Sequence, residues 1–83
     1  MKIEVTEDDI NTGRPNNCHK CPITIAAHRA GLTGVTVTNY CINFDDPDLN
    51  RVSSLELPEK AQLFIEKYNN YEPVRPFSFE IGV

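Results

Sequence analysis

A change of hydrophobic period near the C-terminus constrains this chain most. After Pro58, the residues Ala61, Phe64, Ile65 and Tyr68 recur at the spacing of one helical face. Leu63 lies beside that stripe, and Glu59, Lys60, Glu66 and Lys67 face away from it. Asn69-Asn70 closes the pattern, and Pro73 and Pro76 forbid its continuation. Phe77, Phe79, Ile81 and Val83 then alternate with Ser78, Glu80 and Gly82, the period of a strand with one buried face. A helix and a strand this close in sequence, each with a bulky apolar face, must bury those faces in one core. The pattern predicts that Ala61, Phe64, Ile65 and Tyr68 pack on a sheet containing the first and last strands.

The remaining elements follow from similar signals. Ile3 and Val5 alternate with Lys2 and Glu4 as a first strand. Thr6, with Asp9 at the third following position, forms a capping box, and Glu7, Asp8 and Asp9 suit the positive end of a short helix. Gly13 can end that helix, and residues 14–20 read as a polar loop. Cys21-Pro22 opens a second helix, because proline at the first helical position gives up no hydrogen bond. Its inner face is Ile23, Ala26, Ala27 and Ala30, Ile25 lies opposite with His28 and Arg29, and Gly31 is the stop. In residues 34–44, Val35 and Val37 hold one parity while Tyr40, Ile42 and Phe44 hold the other. A bulge or a tight turn near Thr38-Asn39 would reconcile them. Asp45-Asp46-Pro47-Asp48 reads as a turn, and Val52, Leu55 and Leu57 as a strand returning from it. The order β-α-α-β-β-α-β predicts an α+β fold, a small and mainly antiparallel sheet with helices packed on one face.

Size and charge narrow the functional classes. A chain of 83 residues fits one domain, 1–83. Folding buries only about two-thirds of the surface of so short a chain, which leaves little room for a deep, dry active site. Eight Lys and Arg against 12 Asp and Glu give a net charge of −4, and the cations are scattered. Direct nucleic-acid binding needs a basic stripe, so it is disfavoured. A basic partner protein is compatible with the acidity. No apolar run reaches the about 20 residues that span a bilayer, and the acidic opening lacks the apolar core of a signal peptide, so an intracellular protein is expected. The odd cysteine count, 3, reads as free thiols or metal ligands, not a disulfide framework.

Three patterns could carry chemistry. Cys18-His19-Lys20-Cys21 has the C-x-x-C spacing of a zinc knuckle, and Cys41 with His28 or His19 would complete four ligands. His28 lies about two helical turns beyond Cys21, roughly 10 Å along the axis, too far to share a metal with it. A thioredoxin-like reading fails because Cys18 precedes the helix start and no βαβ pattern surrounds it. Asp46, Asp48 and Asn50 imitate the opening of a calcium loop, but Arg51 stands where glycine is needed and Leu57 where the bidentate glutamate should be. No nucleophile elbow or phosphate-binding glycine loop is present. The expectation is therefore no metal, no cofactor and no enzyme.

Both ends of the chain resemble a family of small accessory proteins encoded by bacteriophages and prophages. The matching features are I-x-V-T-x-x-D-I-x-x-G (Ile3 to Gly13), C-P-I-x-x-A (Cys21 to Ala26), L-P-x-x-x-x-x-F-I-x-x-Y (Leu57 to Tyr68) and E-P-V-x-P-F-x-F-E-I (Glu72 to Ile81). Residues 32–51 do not carry the resemblance. It implies a phage protein acting in the cytoplasm of an infected bacterium, and small acidic phage proteins include inhibitors of host defence complexes. The expected function is an anti-CRISPR-like inhibitor that binds a host antiviral complex with a basic nucleic-acid channel and blocks nucleic-acid access. Glu7, Asp8, Asp9, Asp45, Asp46 and Asp48 are the expected partner-binding residues, with no direct nucleic-acid or membrane contact. The alternative is a non-catalytic protein-binding adaptor, zinc-stabilised if the cysteines bind metal.

Overall fold

The computed structural model describes residues 1–46 and 48–82. Its elements run β1 (Lys2–Val5), α1 (Glu7–Thr12), α2 (Pro22–Arg29), β2 (Thr33–Val37), β3 (Cys41–Asp46), β4 (Arg51–Glu56), α3 (Glu59–Asn69) and β5 (Phe77–Glu80). This is the α+β class read from the sequence. The strands form two antiparallel sheets, β1-β5 and β2-β3-β4. Of the expected turn at residues 45–48 and the final strand pattern, Pro47 and Val83 lie outside the described residues.

The chain ends meet. β1 and β5 pair in the register Ile3 opposite Phe79 and Val5 opposite Phe77, which puts their apolar side chains on one face. The stripe of α3 is buried as its spacing demands: Ala61, Phe64, Ile65 and Tyr68 are all inside. Phe64 meets Phe77 of β5 with ring centroids 4.8 Å apart, and Phe77 in turn stacks on Phe79 at 5.6 Å. One hydrophobic cluster joins both sheets to α2 and α3.

A tight turn divides residues 34–44 into β2 and β3. Thr38 makes it: its hydroxyl oxygen accepts from the Cys41 and Tyr40 amides, and its own amide donates to the Cys41 carbonyl. Val37 and Ile42 then stand opposite each other, both buried. Tyr40 does not join Ile42 and Phe44 in the core. It sits in the turn, before the strand alternation begins, and is 67% exposed. A bulge is present as well, nearer the start of β2. Thr33 faces Asp45 and Thr36 faces Asn43, so β2 carries one extra residue there. Gly34 accommodates it with φ +62°, and the Asp45 carboxylate fills the space a Cβ would need. Val52 pairs with Asp45 and is exposed, whereas Leu55 and Leu57 turn inward.

Small side chains let α2 lie close to β1 and β2 while α1 packs on α2. Ile23, Ala26 and Ala27 are buried, but Ala30 is the exposed C-cap. Cys21 is the N-cap and Pro22 the first helical residue. A Cβ on Gly13 would come within 2.8 Å of the Pro22 ring, so the end of α1 closes on the start of α2 only with glycine there.

Candidate functional site

The capping box at Thr6 is complete. The Thr6 amide donates to the Asp9 carboxylate at 2.8 Å, and the Asp9 amide donates to the Thr6 hydroxyl at 3.3 Å. The Arg29 guanidinium then closes on the same carboxylate as a two-pronged clamp, at 2.6 Å to one oxygen and 2.7 Å to the other. It also donates to the Glu4 carbonyl at 2.7 Å, tying β1, α1 and α2 together. Asp9 is 2% exposed. Hydrogen bonding to Arg29 holds its carboxyl below the ordinary aspartate range, against the opposing effect of burial, and the Thr6 contacts help. Asp9 is thus a structural carboxylate with its acceptors occupied, not the surface contact expected from its charge.

The other acidic residues divide by role. Glu7, Asp8, Asp45 and Asp48 are exposed. Asp46 is half-buried and holds its own turn, accepting from the Asp48 and Leu49 amides and the Ser53 hydroxyl. Glu4 and Asp8 are near enough to Arg29 to favour its charge further. On the other side, Thr33 begins β2 a short turn after Arg29, a chain reach of at most about 14 Å, and pairs directly with Asp45. The first acidic group thus lies beside Arg29, which Asp9 neutralises, and the second lies at the β3 end that pairs with the start of β2.

The cysteines form no such assembly. Cys18 is exposed, Cys41 is half-buried and Cys21 is buried, all as free thiols. Burial pushes the Cys21 thiol up, although it sits at a helix N-terminus. The Thr24 hydroxyl donates to the Cys18 carbonyl at 3.0 Å and lies 3.6 Å from the Cys21 sulfur. Among the described residues, no group of three or more His, Cys, Asp and Glu side chains could hold a metal ion. His28 instead accepts from the Val35 amide at 3.4 Å. Among the described residues no imidazole bonds a Ser, Thr or Cys side chain, so no nucleophile–base pair is assembled. Reaction with a disulfide reagent should modify Cys18 first, Cys41 more slowly and Cys21 only on unfolding. Loss of the fast phase in Cys18→Ser identifies it, and rapid reaction of Cys21 would contradict its burial.

An open cleft of about 560 Å³ lies between α3 and the Tyr40 turn, lined by Asn16, Asn39, Glu59, Gln62 and Leu63 among others. It runs into a second hollow of about 370 Å³ past Cys18 and Thr38. Asn16 holds the shared wall, donating backbone and side-chain bonds to Asn69 at 2.9 and 3.1 Å. Tyr40 and Leu63, 67% and 48% exposed, are the apolar surfaces of the cleft.

Arg29 is the residue that the sequence reading missed. It faces outward on the helical wheel of α2, and nothing local links it to an acid in α1. No family model, curated protein or solved structure matches this chain. Among the described residues no helix is long and apolar enough to cross a membrane.

Proposed function

We propose that the protein is a non-catalytic, phage-encoded inhibitor that works in the cytoplasm of the infected host. It binds an antiviral complex in the manner of anti-CRISPR proteins, and its acidic surface excludes nucleic acid from a basic channel. The observation that supports this reading is the exposure of Glu7, Asp8, Asp45 and Asp48, with Arg29, beside the first group, already paired to Asp9. Glu7, Asp8, Asp45 and Asp48 remain free to substitute for phosphates, and such charges act chiefly on association rate.

The test reverses those four charges to lysine while leaving Asp9 and Asp46, which hold the fold. Wild-type protein is used to capture its partner from host lysate, and the captured complex is then assayed with each variant. Association should slow by about tenfold or more, weaken with salt and compete with the complex's DNA or RNA. A folded four-site variant that associates at the wild-type rate, on a complex that still holds its nucleic acid, would end the channel-blocking reading. The exposed Tyr40 and Leu63 favour one second reading, an adaptor that docks through the α3 cleft. Tyr40→Ser with Leu63→Ser would abolish capture in that case and leave it unchanged in the first.

A further inference from the structure

Helix α3 is not evenly polar on its outer side. Lys60, Leu63, Phe64 and Lys67 follow the i, i+3, i+4, i+7 spacing and form a continuous stripe. Val74, Arg75 and Phe77 approach from the segment leading into β5. Together they enclose an open dimple of about 200 Å³. Its floor is apolar, made by Leu63, Phe64, Val74 and Phe77, and the Phe64–Phe77 ring contact backs it. Its rim is cationic. Lys60, Lys67 and Arg75 are all exposed, and none makes an ion pair or side-chain hydrogen bond to a described residue.

This placement has no structural explanation within the fold. Three of the chain's 8 Lys and Arg surround one small apolar floor in a protein of net charge −4. Lys67 suits the last turn of α3, where cations meet the negative helix end. Lys60 is in the first turn, where the helix end is already positive and a cation is disfavoured. Glu59 and Glu66 line the opposite flank, toward the cleft. Helix α3 therefore separates its charges by side.

We infer that the dimple docks a partner protein's acidic segment in which one bulky apolar residue is flanked by carboxylates. The volume suits a single large side chain, and the rim meets the carboxylates on either side of it. Arg75 offers the fork geometry that pairs with a carboxylate, and the two lysines add point charges. A nucleic-acid backbone would make no use of the apolar floor and requires a longer basic track than three cations. The surface shares no residue with Glu7, Asp8, Asp45 and Asp48, so this inference holds or falls apart from the proposed function.

The probe is the peptide acetyl-Glu-Asp-Phe-Asp-Glu-amide, titrated into isotope-labelled protein at low ionic strength and followed by NMR. Shift changes should centre on α3 and residues 74–77, including the methyl groups of Leu63 and Val74. Exchanging the probe's phenylalanine for serine should weaken binding about tenfold. Arg75→Gln should weaken it several-fold, and combined Lys60→Glu, Lys67→Glu and Arg75→Glu should abolish it with the circular dichroism unchanged. Equal binding of the serine probe would reduce the site to general charge attraction and overturn the inference. So would shift changes located elsewhere, or none. Self-association of the protein without peptide, lost in Arg75→Gln, would make a second copy the occupant and overturn it too.

Discussion

Truncating Phe64 to alanine should destabilise the fold by about 3–5 kcal/mol, the usual cost of emptying a buried aromatic site. Phe64 is 7% exposed and its ring lies between Tyr68, stacked at 5.8 Å, and Phe77 at 4.8 Å. Removing it opens a cavity between α3 and β5, and both neighbouring rings lose a partner. A domain of this length has about 4–12 kcal/mol of stability in all, so the loss is a large part of it. Urea denaturation followed by circular dichroism measures the change. The control is Leu63→Ala, one position earlier on the same helix. Leu63 is 48% exposed, and its replacement should shift stability by no more than about 0.5 kcal/mol. Equal effects of the two variants would mean that the buried face of α3 is misassigned.

That face was legible in the sequence because its signal is local and periodic. The same holds for the capping box at Thr6, the proline start of α2 and the alternation of β5. Each depends on residues within a few positions of one another. What could not be read depends on residues far apart. Pairing of the chain ends was expected from two apolar faces in need of cover, but the division into two sheets follows from hydrogen-bond partners that no local pattern encodes. Tyr40 shows a local failure: its parity matched Ile42 and Phe44, yet it sits in the Thr38 turn, and the alternation of β3 begins just after it. The acidic groups show a failure of a different kind. Composition treats Asp9 and Asp8 as equivalent, whereas one faces Arg29 in the interior and the other faces solvent. The cationic rim was split in the sequence between a helix and a proline-framed segment, so its members read as isolated charges.

Asp9 should prove the most sensitive acidic residue in the chain, for stability and not for binding. Asp9→Ala leaves the Thr6 hydroxyl on the residue-9 amide but removes the reciprocal half of the capping box and the charge-assisted bonds to Arg29, worth about 1.5–3 kcal/mol. A loss near 3 kcal/mol is expected at neutral pH. Arg29→Ala should cost less, about 1–2 kcal/mol, because the guanidinium is 49% exposed and water screens part of the pair. The Thr6 amide also continues to serve the carboxylate in that variant. The pH dependence has a definite sign. The folded carboxyl titrates below its ordinary value of 3.8, so the unfolded chain takes up the proton first as the solution is acidified. The contribution is therefore complete above about pH 4–5 and declines as pH falls through the lowered folded value. Asp9→Asn lacks this ionisation, so the gap between wild type and variant should be widest near neutrality and close progressively in acid. A gap that stays constant from pH 7 down to about pH 2 would show that the ion pair contributes nothing and that capping alone accounts for Asp9. The same energetics bear on any test of the acidic surface. Reversing Asp9 along with Glu7 and Asp8 would place a lysine against Arg29 inside the fold, and lost binding would then report unfolding.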